Sequence, residues 1–177
     1  ALTQPAPVGL QEIQQHLLDD DTLMLEYAIS RERSFLWAIT SKTFASFELP
    51  GREKIEQAAR QTYELLTVSH RRQHKREAER AAAELSRMLL GPVADQLGKK
   101  RLLIVSDAIL QYVPFVALPA PAAPGHPSAS YTPLIIDHEI INLPSASVLA
   151  GLRREVAGRK PADKLIAVFA DPVLQND

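Results

Sequence analysis

Cysteine is absent from all 177 residues. That excludes disulfides, thiolate metal sites and thiol catalysis within these residues, and it suits a cytoplasmic protein. An excess of one charge is lacking too: 20 basic and 21 acidic side chains leave a formal net charge of −1. Such a balance gives no electrostatic reason to expect nucleic acid or an anionic membrane as partner. No apolar run approaches the ~20 residues that a membrane-spanning helix needs. Ala1–Leu10 carry neither a positive charge nor an apolar core, so they do not read as a secretory signal. The sequence does not open on Met, which leads to the expectation that it is a piece of a longer protein. What is present is globular in kind: 46% hydrophobic and 23% charged residues, in a length that suits one domain or a large part of one.

Ala1–Pro7 read as a linker, and Leu10, Ile13, Leu17 and Leu18 are spaced as one stripe of a short helix. After Asp19-Asp20-Asp21, residues Leu23, Leu25, Tyr27 and Ile29 alternate with Met24, Glu26, Ala28 and Ser30, the period of a half-buried strand. Phe35, Trp37 and Ile39 repeat that period, as do Ala45, Phe47 and Leu49, so the three runs predict an antiparallel meander that Pro50-Gly51 ends. Two helical stripes follow, Ile55-Ala58-Ala59-Thr62-Leu65-Leu66 and Ala78-Ala81-Ala82-Leu85-Met88-Leu89. They predict a hairpin joined through Ser69–Gln73, with Gly91 as its C-terminal cap and Pro92 beyond. A further helical turn is expected over Val93–Leu97.

Leu102–Val105 is wholly apolar, the mark of a central strand covered on both faces. Pro119–Pro133 holds five prolines in fifteen residues and reads as an exposed, mobile insertion. Leu134–Asn142 is expected to be the next strand. Ser145 is then the N-cap of a helix running to about Gly158. Lys160-Pro161 reads as a linker, and Leu165–Phe169 as a last buried strand.

Four groups of residues invite a chemical reading. Ser106-Asp107 follows a buried strand, where a nucleophile or acid can sit, but no Gly-x-Ser-x-Gly elbow is present. Asp107 is expected instead to cap the turn into Ala108–Tyr112 with its carboxylate on backbone amides. Asp137-His138-Glu139 suggests a metal, yet on a strand the two acids point to one face and the histidine to the other, so none is expected. Asp19-Asp20-Asp21 lacks the spaced acidic ligands of a calcium loop and reads as a solvated turn. His70–Arg76 is the one basic cluster. No aromatic residue interleaves it, and Glu77, Glu79 and Glu84 offset it, so a solvated helix junction is the expectation and nucleic acid is not.

The order of elements from Arg101 to Leu149 resembles the front half of the CHAT domain, a caspase-related cysteine peptidase module often found behind tetratricopeptide repeats. The likeness lies in a buried strand, the aspartate turn at Asp107, a short apolar piece ending in Pro114-Phe115, an insertion, a second strand, and Pro144-Ser145 opening a helix. Thr22–Tyr27 and Ser34–Thr40 look like the family's opening hairpin, so the likeness runs from about Leu18 to Val173.

The resemblance implies an α/β fold, a caspase-like three-layer α/β/α arrangement with an N-terminal antiparallel meander and two-helix hairpin leading into a mostly parallel sheet. It divides the chain into a linker and short helix (1–18), a pseudo-caspase-like front half (19–160), and the first strand of the catalytic half (161–177). The family's catalytic pair is a histidine followed by glycine and, further on, a cysteine. None of the five histidines here precedes a glycine, and there is no cysteine. The chain is therefore expected to hold no catalytic residue, cofactor or metal, and to scaffold a catalytic half lying beyond it. Its expected partners are that half and upstream tetratricopeptide repeats, with self-association through Leu165–Phe169 if that strand is left open. The alternative is a protein-interaction module of the same fold that has no peptidase function.

Overall fold

The computed structural model describes residues 7–67, 72–121 and 131–160, the side chains of residues 72–74 excepted. One five-stranded sheet forms the middle layer. Its strands are β1 (Thr22–Ala28), β2 (Arg33–Ile39), β3 (Phe44–Pro50), β4 (Arg101–Val105) and β5 (Ile140–Leu143). They lie in the order β3-β2-β1-β4-β5. The meander supplies the antiparallel side, whereas β1 pairs β4 and β4 pairs β5 in parallel. The fold is α/β, with helices on both sheet faces.

The period-two pattern assigns side chains to those faces. Leu23, Leu25, Tyr27, Leu36, Leu102 and Ile104 face α2 (Arg52–Thr67) and α3 (Arg72–Leu89), whose Ile55, Ala59, Ala82, Leu85 and Leu89 complete the larger core. Met24, Ile39 and Leu103 face the other way, against Ile13, Leu17 and Leu18 and against Ala146 and Ala150 of α5 (Ala146–Val156). Burying both faces of β1 and β4 explains why Leu23, Leu25, Leu102 and Ile104 are wholly inaccessible. Among the described residues, no helix is long and apolar enough to cross a membrane.

Several expectations change on contact with the tertiary structure. The short first helix is one α-helical turn, α1 (Leu10–Glu12), running into a π-type turn over Ile13–Leu17, and Leu10 stays exposed while Ile13, Leu17 and Leu18 are buried. Gly91 is not the left-handed cap of α3. It opens a 3-10 turn, Gly91–Val93, that leads into α4 (Ala94–Leu97), and Pro92 sits in that turn's first positions, where its missing N–H costs nothing. The strand expected over Leu134–Asn142 is only β5. Leu134–Ile136 form a 3-10 turn, because Leu134 fills the core while its own N–H goes to the Leu118 carbonyl.

The proline-rich insertion is anchored at its ends. Pro119 is buried, bridges to Pro133 and accepts the Ser86 hydroxyl at 2.5 Å. Residues 122–130, the linker at Pro161 and the strand expected over Leu165–Phe169 lie outside the described residues.

Candidate functional site

Parallel strands direct their carboxyl ends to one edge of a sheet, and loops leaving that edge are where α/β proteins build sites. Here β1, β4 and β5 end at Ala28, Val105 and Leu143. The segments that follow them carry Asp107, Pro114, Phe115, Pro144 and Ser145.

Asp107 does not cap its own turn. It stands before the 3-10 turn Ala108–Tyr112 but makes no side-chain cap there. Its Oδ2 instead accepts the Ile29 N–H at 2.7 Å, tying the exit of β4 to the exit of β1. The carbonyl of the same Ile29 accepts from the Arg52 guanidinium at 3.2 Å. Carboxylate and guanidinium together satisfy both backbone groups of a residue that is nearly buried and has left the ladder. Ala108 follows with φ of +49°, in the left-handed region that side chains rarely occupy.

Phe115 is buried against Tyr27, ring centroids 5.8 Å apart, and the Tyr27 hydroxyl donates to the Leu89 carbonyl at 3.2 Å. Pro114 places Phe115 in a short 3-10 turn, so Pro114-Phe115 is a core anchor rather than a binding loop. Ser145 does cap α5: its hydroxyl accepts the Val148 N–H at 3.2 Å, as the sequence predicts. The structure therefore brings Asp107, Phe115 and Ser145 into structural roles along one edge of the sheet and leaves none of them aimed at a common point.

Among the described residues, His138 cannot complete a catalytic pair at that edge. His138 is buried at the opposite end of β4, with its Nδ1–H donated to the Lys100 carbonyl at 2.8 Å. Ser106 is six residues further along, about 20 Å away at the rise of a strand. Asp137 and Glu139 are exposed and flank His138 ahead of β5 rather than within it. Glu139 pairs with Arg101 at 2.6 Å, so the trio does not converge, although for a different reason from strand alternation. Among the described residues, no group of His, Asp or Glu is placed to hold a metal ion.

The same end of the sheet carries exposed charge pairs. Arg101 reaches Asp19 at 3.4 Å, and Lys42 reaches Asp20 at 2.9 Å. The Thr22 hydroxyl, with Arg101 behind it, holds the Asp19 carboxyl below the usual carboxylate range. Hydrogen bonds from Lys42 and Ser41 do the same for Asp20. Both acids are solvent-exposed, so these pairs steer local geometry more than they stabilise the fold.

A feature not legible in the sequence is a groove of about 360 Å³ between α2 and the turn after Asp107. Its walls include Arg60, Tyr63, Ile109 and Tyr112. Tyr63 and Tyr112 are 52% and 72% exposed, so the groove is open and aromatic. The two tyrosines lie 49 positions apart in sequence, and only the packing of α2 beside the turn joins them.

The basic cluster offers no counterpart. Its described part lies within α3, where Lys75 faces Glu79 at 3.9 Å.

No curated protein matches the chain. The sequence profile of the CHAT domain matches residues 79–177, more than half of it. The matched stretch contains the latter part of α3, β4, the Asp107 turn, Pro114-Phe115, β5 and Pro144-Ser145. An α/β sheet carrying those positions in that order, matched over that span, places the chain in the CHAT domain family.

Proposed function

We propose that this chain is the non-catalytic front half of a CHAT-type cysteine peptidase domain, and that it scaffolds a catalytic half lying downstream in its parent protein. The observation that carries the reading is a CHAT match that includes no cysteine and no His-Gly pair. Chemistry by a thiolate supported by imidazole is therefore not performed by these residues. The structural roles of Asp107, Phe115 and Ser145 support a rigid platform, since each fixes an element rather than facing an open site.

Co-expression of this chain with the residues that follow it in the parent gene tests the reading. The two polypeptides are expected to co-purify and to cleave peptides together, with cleavage abolished by thiol alkylation. A downstream sequence lacking His-Gly and Cys overturns it and leaves the protein-interaction module.

A further inference from the structure

On the sheet face that carries Met24 and Ile39, the helical cover among the described residues ends one row short. Ile13, Leu17 and Leu18 with Ala146 and Ala150 seal Met24, Ile39 and Leu103. The next positions along β1 and β2 on that face, Glu26, Trp37, Ala28 and Phe35, are each only partly buried and belong to neither core cluster.

Two cross-strand pairs of the same kind lie side by side in this row. Phe35 faces Glu48, and Trp37 faces Glu26, an aromatic ring opposite a carboxylate in each case. Phe35 and Trp37 are two apart on one strand, so both pairs share the face. The first pair already holds a cation: the Arg33 guanidinium lies over the Phe35 ring at 6.0 Å and reaches the Glu48 carboxylate at 3.4 Å. The second pair has the same two components and, among the described residues, no cation. The Glu26 carboxylate makes no ion pair or hydrogen bond with any described residue. Burial alone acts on its carboxyl, pushing it above the usual range. A carboxylate taken partly out of water beside an aromatic ring favours a guanidinium or ammonium, through ion pairing and through the face of the ring.

We propose that the Glu26–Trp37 pair, with Phe35 and Ala28 beside it, is a docking ledge for an arginine or lysine side chain carried by a peptide segment of a partner protein. The partner's cation completes at Trp37 what Arg33 completes at Phe35. The apolar stem and neighbours of that residue lie along Ala28 and the ring faces, which favours a peptide over a free metal ion or a small anion. This rests on a different observation from the peptidase reading and stands or falls separately.

Trp37 is the single tryptophan of the chain, so its fluorescence reports the ledge directly. The probe is the capped peptide acetyl-Leu-Arg-Leu-amide, titrated into the full chain, with the citrulline peptide as its uncharged isostere. A saturable change in Trp37 emission is expected, weakened at least about tenfold by citrulline and by Glu26→Gln. Circular dichroism establishes that the variant is folded. Equal responses to both peptides, or an unchanged affinity in folded Glu26→Gln, overturn the proposal, as does the absence of any saturable response. Trp37 emission that depends on protein concentration before peptide is added assigns the ledge to a second copy. A carbodiimide cross-link between Glu26 and Lys164 in the monomer assigns it to the chain's own C-terminal segment. Either of these results overturns the partner assignment.

Discussion

Tyr27 and Glu26 are neighbours on β1 that point to opposite faces, and their environments move their ionisations upward for the same reason with different consequences. Tyr27 is buried, donates to the Leu89 carbonyl, and has its phenol pushed far above the usual value by desolvation. In the unfolded chain a tyrosine releases its proton near pH ~10. The stability that Tyr27 lends is therefore fully present below that pH and is lost as pH rises above it, because only the unfolded chain can ionise there. Tyr27→Phe should cost about 1 kcal/mol at pH 8 and should flatten the alkaline loss. Urea denaturation of both proteins at pH 8 and pH 11 checks this.

Glu26 carries the opposite sign. Its carboxyl is raised by burial, so the folded state favours the protonated form, and the ionised form opposes folding at neutral pH. Glu26→Gln should raise the melting temperature at pH 7, with the gain shrinking as pH falls through the carboxylate range. Thermal scans at pH 7 and pH 4 show whether it does.

Elements are held in place by three local devices. Gly51 lies where α2 leaves the meander, and a Cβ built there meets the Arg31 carbonyl oxygen at 2.5 Å and the Glu32 carbonyl oxygen at 2.6 Å. Backbone atoms cannot yield as a side chain end can, so Gly51→Ala should destabilise by about 1–3 kcal/mol through forced displacement. Asp107 holds the Ile29 N–H across from β4 to the end of β1. Asp107→Ala leaves that nearly buried donor unmet, at a cost of about 1–3 kcal/mol. Ser145 caps α5, and Ser145→Ala should cost about 1 kcal/mol. Equilibrium denaturation measures all three. A loss from Asp107→Ala no larger than that of an exposed substitution would refute the tie between β1 and β4.

At the scale of the whole molecule, both helical layers depend on the parallel side of one sheet. β4 has β1 and β5 on its two edges and covered faces above and below, so Leu102 and Ile104 are wholly buried. The surface is less finished than the core. The open tyrosine groove and the row at Glu26, which no described helix covers, lie on opposite faces of the sheet. The chain alone is expected to hydrolyse no peptide bond. Incubation with a broad peptide library should stay at background, and cleavage resistant to thiol alkylation would direct attention back to Ser106 or another hydroxyl.

The sequence determined whatever depends on local period or local chemistry. Alternation in Leu23–Ile29 and Phe35–Ile39 marked β1 and β2, and an unbroken apolar run marked β4 as central. Ser145 could be read as a cap because a cap binds an amide three residues away. The CHAT likeness was also legible, since Asp107, Pro114-Phe115 and Pro144-Ser145 keep their order along the chain. Tertiary structure decided what depends on distant partners. It turned Asp107 from its own turn to Ile29, whose backbone had lost its ladder and needed an acceptor. It shortened the strand after the insertion, because Leu134 is worth more in the core than in a pairing register. It also joined Tyr63 to Tyr112 in one groove. Glu26 reads in sequence as one polar position in an alternating strand, and only the end of the described helical cover shows it lying beside Trp37 with no cation among the described residues.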